Sequence, residues 1–514
     1  MSNTQSLKNH KDNHKKVRKF ITNKNFNKLT LYTNFDFDLL VGSNFIMLLS
    51  SCPKDILKHV FSNMININAV IIGNGWSLCH YLTKYNINTD LIKYLISEKG
   101  LNINLATLEK WQPIHFACTN SYDMVKLLID NGVNIESKTT TNCKPIHIAC
   151  HHGFANIVEM LINHGAKLES KTFPVAPIKE KWIHNSTDCD NNAWLGIKIP
   201  RDRPIHIACR RGFINIVQIL IAKGVDLNIP TYYKESPIHI ACQKNYVEIV
   251  KILINNNVNL EVKKNGDERP IHIACYYGFV SIVEMLIAKK VNLDCRTHET
   301  ETPLSYVVMK RSMALIKMLI DAGANLEKKY WNGETILHRV CTNEYYVSDT
   351  ITKCEIHVLA KMLIDAGANV KCLTEYKESP LHTAYMDETD KLFRLLVENG
   401  ADLEQKATDG WKPIHMVCCY GSYEAIKYVL STNVNVTSPI KTITNAIYDF
   451  CIREEILWGI IKMRQEDIKV YNPSRIITGN HNLTSDQKTE LLKILNSKAK
   501  QQVSHEIIND LSYS

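Results

Sequence analysis

Apolar residues recur along this chain in two short phrases that alternate. The first is a compact cluster such as PIHIAC at 145–150, where Ile146, Ala149 and Cys150 fall at i, i+3 and i+4 and so share one helix face. The second follows about ten residues on. In NIVEMLI at 156–162 the apolar residues sit at i, i+1, i+4 and i+5, the pattern of a helix that buries one broad face. A loop closes each unit: GVNI at 132–135, GAKL at 165–168, GVDL at 224–227, GANL at 323–326, GANV at 367–370 and GADL at 400–403. Glycine there suits a left-handed helix cap, and Asn, which tolerates the same conformation, replaces it at 257 and 433. Proline at 145, 204, 237, 270 and 413 suits the first helical position, where its missing N–H has no partner to lose.

The phrases keep a period of 33. One slot holds His115, His147, His206, His239, His272, Ser305, His338, His382 and His415, with 26 extra residues before His206 and 11 before His382. Degenerate copies extend the array, with His80 in the slot of WSLCHYL, DILKHVF at 55–61 as a second helix, and EEILWGI at 454–460 as a last one. The array is therefore expected from about 35 to 465, between a basic tail, 1–34, and a C-terminal segment, 466–514. In that segment Thr484 and Gln487 are spaced as a capping box before ELLKILNSKAK.

A 33-residue period carrying T/S/K/R-P-I/L-H-I-A-C, strongest over 100–436, resembles the ankyrin repeat family. The resemblance implies an all-α repeat solenoid: helix–turn–helix units with β-hairpin loops, about nine clear and two or three degenerate, curved so that partners bind the concave face. It also implies a structural role for His115, His147, His206, His239, His272, His338, His382 and His415, hydrogen-bonded locally and tying one unit to the next. The family's Thr before Pro is replaced by Gln112, Lys144, Arg203, Arg269 and Lys412. The usual Thr–His bond is lost there, and the long basic side chains are expected to line one edge.

Charge is unevenly placed. Of the formal net +9, seven charges sit in residues 1–28, where Lys8, Lys11, Lys15, Lys16, Arg18, Lys19, Lys24 and Lys28 face Asp12 alone. The body is nearly neutral, so a nucleic-acid role is expected only through residues 1–28, and KKVRK at 15–19 is the one candidate nuclear-import patch. The polar start lacks the apolar core of a secretory signal, and sixteen cysteines in such a chain point to a reduced, intracellular, cytoplasmic protein. No apolar run reaches 18 residues, so no membrane insertion is expected.

Seven of the slot histidines have Cys three residues on, a spacing that can face one metal. Zinc needs four converging ligands, however, and stacked units set such pairs a helix diameter apart. No metal or other cofactor is expected. Nucleotide-loop, G-x-S-x-G and H-E-x-x-H patterns are absent, and IGNGW at 72–76 is a bare G-x-G, so no enzyme is expected.

Function must then lie in what differs between units. Tyr232, Tyr233, Trp331, Tyr376 and Trp411 recur at the turn tips among Lys and Glu, and the long insertion at 171–199 adds Trp182 and Trp194. The expectation is a monomeric protein–protein interaction scaffold whose partner touches these residues. An adaptor for ubiquitin ligase is the alternative, since CPKDILKHVFSNM at 52–64 resembles the opening of an F-box, although it also fits a repeat helix in phase. Richness in Asn, Ile, Lys and Tyr, with phrases such as NGVNIE and IDAGANLE, resembles the ankyrin repeat proteins of mimivirus-type giant viruses and would make a host protein the partner. Any AT-rich genome gives similar composition.

Overall fold

Proline at the first helical position and a small Ala–Cys pair one turn later recur together in the repeats that open at Pro113, Pro145, Pro204, Pro237 and Pro270 in the computed structural model of this chain. The structure describes residues 53–64, 66–70, 75–171, 202–342, 354–384, 391–420, 422–432 and 484–491, with residues 19, 28, 493, 494 and 497. Its contacts divide the chain into two compact units, 1–265 and 266–514, each treated by itself.

In the first unit a short helix is followed each time by a longer one: Leu78–Lys84 with Thr89–Lys99, Pro113–Ala117 with Tyr122–Asp130, Pro145–His152 with Ala155–Asn163, Pro204–Arg211 with Ile214–Ala222, and Pro237–Gln243 with Val247–Asn255. Helix Lys54–Ser62 packs on Thr89–Lys99, as a second helix of a preceding unit would. In the second unit the pairs are Pro270–Tyr277 with Val280–Ala288, Pro303–Met309 with Met313–Asp321, Ile336–Thr342 with Cys354–Asp365, Pro380–Thr383 with Lys391–Glu398, and Pro413–Tyr420 with Tyr423–Ser431.

Packing follows the sequence period. Ile146, Ala149 and Cys150 of one short helix are buried, as are Ile157, Val158 and Leu161 of its partner. Short helices stack on short helices and long on long, so Pro145–His152 meets Pro204–Arg211 directly. The 11 extra residues before His382 coincide with a different device. They fall inside one repeat, between Ile336–Thr342 and Cys354–Asp365, and the second helix there is 12 residues long where its neighbours have nine or fewer.

No regular strand is present among the described residues; an isolated bridge pairs Val70 with Ser77. The hairpin tips are tight turns closed by paired backbone bonds: Thr107 N–H reaches the Trp111 carbonyl at 2.8 Å and Lys110 N–H the Thr107 carbonyl at 2.8 Å, as Thr231 N–H reaches that of Glu235 at 2.8 Å and Lys234 N–H that of Thr231 at 3.2 Å. Successive tips are joined by another: Thr140 N–H to the Glu109 carbonyl at 3.0 Å, and Thr408 N–H to that of Tyr376 at 2.8 Å. The loops after the long helices turn through left-handed residues, Gly132, Gly165, Gly224, Gly323, Gly367 and Gly400, with Asn257 and Lys290 in the same conformation. At the far end, Thr484 and Gln487 exchange reciprocal capping bonds of 2.9 and 3.3 Å, and the helical turn they open buries Leu491 and sets Glu490 3.5 Å from Lys427.

The segments 43–52, 343–353 and 433–483, which include the expected last repeat helix, lie outside the described residues, as do nearly all of the basic tail and the whole of 172–201.

Candidate interaction surface

The slot histidines are buried and used at both ends. In each, Nδ1 accepts the backbone N–H of the residue three before it: Gln112 to His115 at 2.9 Å, Lys144 to His147 at 3.0 Å, Arg203 to His206 at 3.1 Å, Ser236 to His239 at 3.2 Å, Arg269 to His272 at 3.0 Å, Thr335 to His338 at 3.1 Å, Ser379 to His382 at 3.0 Å, and Lys412 to His415 at 2.9 Å. An accepting Nδ1 places the proton on Nε2. Nε2 then donates to a carbonyl further along the chain, as from His147 to Ser170 at 2.8 Å, His206 to Ile229 at 2.8 Å, His272 to Cys295 at 3.1 Å and His382 to Trp411 at 3.3 Å. Such a ring has no lone pair left for a metal. Burial pushes these imidazoles down, to about 4 in His115, His147, His272, His338 and His382 and to about 3 in His206. The same burial raises the thiols of Cys118, Cys150, Cys209, Cys242 and Cys275 far from the thiolate range, so they are inert packing groups.

Where Ser305 takes the slot, its hydroxyl does both local jobs. It accepts the Thr302 N–H at 2.9 Å and donates to the Thr302 carbonyl at 2.7 Å, while Thr302 bonds the buried Tyr330 hydroxyl at 2.7 Å.

The basic residues ahead of proline differ from expectation. Lys144, Arg203 and Lys412 are buried instead of lining an exposed edge. Each is met by an acidic side chain: Lys144 reaches Glu136 and Ser170, Lys412 reaches Glu404 at 2.6 Å, and Arg203 reaches Glu169 at 3.2 Å and the Pro230 carbonyl at 3.1 Å. A further buried cation was not signalled by the repeat pattern. Arg339, the residue after His338, pairs with Glu301 at 2.7 Å and lies 4.1 Å from the centre of the Tyr330 ring.

The turn-tip aromatics divide. Trp331 is 64 % exposed, Tyr232 58 %, Tyr233 49 % and Tyr376 37 %. Tyr232 and Tyr233 meet edge to face at 5.3 Å, and the Tyr233 carbonyl accepts Asn265 N–H, so the pair rides on a pinned turn. Trp411 is half-buried with its ring 6.1 Å from that of His415. Trp182 and Trp194 lie outside the described residues. Exposed Tyr276 and Tyr277, at the end of a short helix, were missed; they are visible only as the YY that follows PIHIAC.

Among the described residues no group of three or more His, Cys, Asp or Glu could hold a metal, and no helix is long and apolar enough to cross a membrane.

The family described as ankyrin repeats (3 copies) matches at 46–139, 79–172, 179–264, 271–358 and 351–439, together well over half of the chain. Among solved structures, the human ASB11 ankyrin repeat domain is 24 % identical with a TM-score of 0.39, covering 49 % of this chain and 99 % of that one. The ankyrin repeat domain of Bcl-3, a member of the IkappaB protein family, is 17 % identical with a TM-score of 0.39, covering 50 % and 98 %. No curated protein matches the chain. The 33-residue period, the paired helices and the doubly bonded histidines are accounted for together: this chain belongs to the ankyrin repeat family.

Proposed function

We propose that this chain is a non-catalytic scaffold that holds a partner protein through the concave face and hairpin tips of its repeat array. One observation carries the reading: Tyr232, Tyr233, Trp331 and Tyr376 stand exposed on turns whose backbones are already pinned. Rings with two side-chain torsions on an ordered turn lose little freedom when a partner covers them, which is what interface anchors need. Trp411 and the insertion residues Trp182 and Trp194 complete the candidate set, with 171–199 as a docking loop between an N-terminal tail, 1–34, a solenoid, 35–465, and a C-terminal segment, 466–514.

Nuclease-treated host-type lysate passed over the immobilised chain tests this. The chain carrying Tyr232→Ala, Tyr233→Ala, Trp331→Ala and Tyr376→Ala is expected to retain tenfold less of the specific prey, on the order of 1.4 kcal/mol, and the chain lacking 171–199 less than the intact one. Equal recovery by all forms overturns the assignment of these anchors.

A cytoplasmic, monomeric protein of giant-virus type with a host partner is the form of this proposal that composition and the repeat phrases support. The ligase-adaptor reading draws on 52–64 alone, and those residues include helix Lys54–Ser62, whose Leu57, Val60 and Phe61 are buried as in a repeat. Ligase subunits among the prey would favour the adaptor, and prey lost with residues 1–28 would favour nucleic-acid or nuclear association through KKVRK.

A further inference from the structure

The C-terminal ends of three consecutive short helices in the first unit carry basic side chains. Counting four and five residues past the slot histidine gives Thr119 and Asn120, His151 and His152, Arg210 and Arg211, then Gln243 and Lys244, with no carboxylate in the series. Arg210 is consumed internally by Asp202 at 3.0 Å and Glu235 at 3.4 Å. Arg211 is not. Its Nε donates to the His151 carbonyl at 3.2 Å, which fixes the guanidinium against the neighbouring repeat, and it makes no ion pair among the described residues. Lys244, which caps the C-terminal end of the next helix, is exposed and likewise makes none among the described residues. Pro145–His152, Pro204–Arg211 and Pro237–Gln243 are stacked in that order, so His152, Arg211 and Lys244 occupy corresponding positions on consecutive repeats.

The two histidines register this crowding. Their rings meet at 5.0 Å, Phe154 stacks on His152, and the buried Nδ1 of His151 has no hydrogen-bond partner. Burial first, then the Arg211 charge, holds His151 down to about 4 and lowers His152 as well. Arg211 is the charged group facing the pair from Pro204–Arg211, while the opposite neighbour ends in the uncharged Thr119 and Asn120.

We propose that these three helix ends bind an acidic, extended segment of the partner protein whose carboxylates recur every third residue and face His152, Arg211 and Lys244. The spacing follows from geometry, since packed helices lie about 8–10 Å apart and an extended chain advances about 3.3 Å per residue. This deepens the scaffold reading by giving the partner a chemistry, and it rests on that reading.

A fluorescein-labelled peptide, Gly-Asp-Ser-Ala-Asp-Ser-Ala-Asp-Ser-Gly, titrated with the full chain by fluorescence anisotropy tests it. A carboxylate brought beside the histidines favours their protonated form, so binding is expected to tighten about tenfold from pH 7.5 to 5.5, where the aspartates stay ionised. Arg211→Gln with Lys244→Gln should weaken binding at least tenfold at an unchanged thermal midpoint, and replacing the three Asp by Asn should abolish it. The proposal is overturned by pH-independent binding, by equal affinity for the Asn peptide or for one with its three Asp adjacent, by no binding at millimolar protein, or by preference for single-stranded DNA of equal charge. Any of these leaves the tip-aromatic experiment to decide the scaffold reading separately.

Discussion

His80, His115, His147, His272, His338 and His382 are each depressed by burial to about 4, and His206 to about 3. In the unfolded chain these imidazoles regain an ordinary value near 6.5 and bind protons the folded chain refuses. Stability is therefore complete above about pH 6.5 and falls as the pH drops toward 4. Each group contributes on the order of 3 kcal/mol to that loss, and several titrating together exceed the marginal stability of a domain. Far-UV circular dichroism should show a steep acid transition between pH 6.5 and 4, and a flat signal across that window would mean the rings are not buried neutral. The histidine pattern was legible because the slot repeats. The burial of Lys144 and Lys412 was not, although the glutamates eight residues before them, Glu136 and Glu404, were its sequence signal. Glu136 also accepts the Lys167 N–H at 2.8 Å, so Glu136→Ala leaves the buried Lys144 ammonium with Ser170 but no counter-charge and takes the acceptor from a backbone donor. It should cost about 2–3 kcal/mol in urea unfolding, whereas the exposed Lys361–Asp365 pair should cost well under 1 kcal/mol to break.

At the scale of the element, apolar period and proline gave helix type and starts closely, because both reflect local sterics. The joints between repeats carry less of themselves in the sequence. Asn102 N–H bonds the Asn68 side chain at 2.8 Å, Asn134 that of Asn104 at 3.1 Å, Asn259 that of Asn228 at 2.8 Å, and Asn325 that of Asp294 at 2.9 Å. This ladder explains why Asn and Asp recur after the glycine loops, a recurrence that composition alone would assign to codon bias. Glycines differ in the same way. Gly165 turns at φ +90 with open space where a Cβ would stand, while at Gly153, φ +83, a Cβ would lie 2.7 Å from the Phe213 ring of the next repeat. Gly165→Ala should cost about 1 kcal/mol for the left-handed backbone alone, and Gly153→Ala about 1–3 kcal/mol more for displaced packing. Equal thermal shifts for the two would show that Phe213 swings away freely.

Across each compact unit the chain is a series of neighbours: among the described residues each long helix packs chiefly on the long helices beside it and on its own short partner. Ala155–Asn163 meets Tyr122–Asp130 and Ile214–Ala222; Val280–Ala288 meets Met313–Asp321. The sequence conveyed this organisation over 100–436, where the period holds, and failed where insertions break it, since 11 extra residues counted between two histidines do not say which side of a helix they enter. A one-dimensional stack distributes damage differently from a globular core, because coupling passes through one interface at a time. Leu161→Ala in the first unit and Leu286→Ala in the second each hollow a fully buried site, at about 2–5 kcal/mol. Hydrogen exchange read by mass spectrometry should show Leu161→Ala stripping protection from 122–130 and 214–222 and sparing 78–84. Leu286→Ala should deprotect 313–321 and spare 423–431. Uniform loss through the whole of either unit would mean that its repeats unfold as one body, and the nearest-neighbour account of this array would fall.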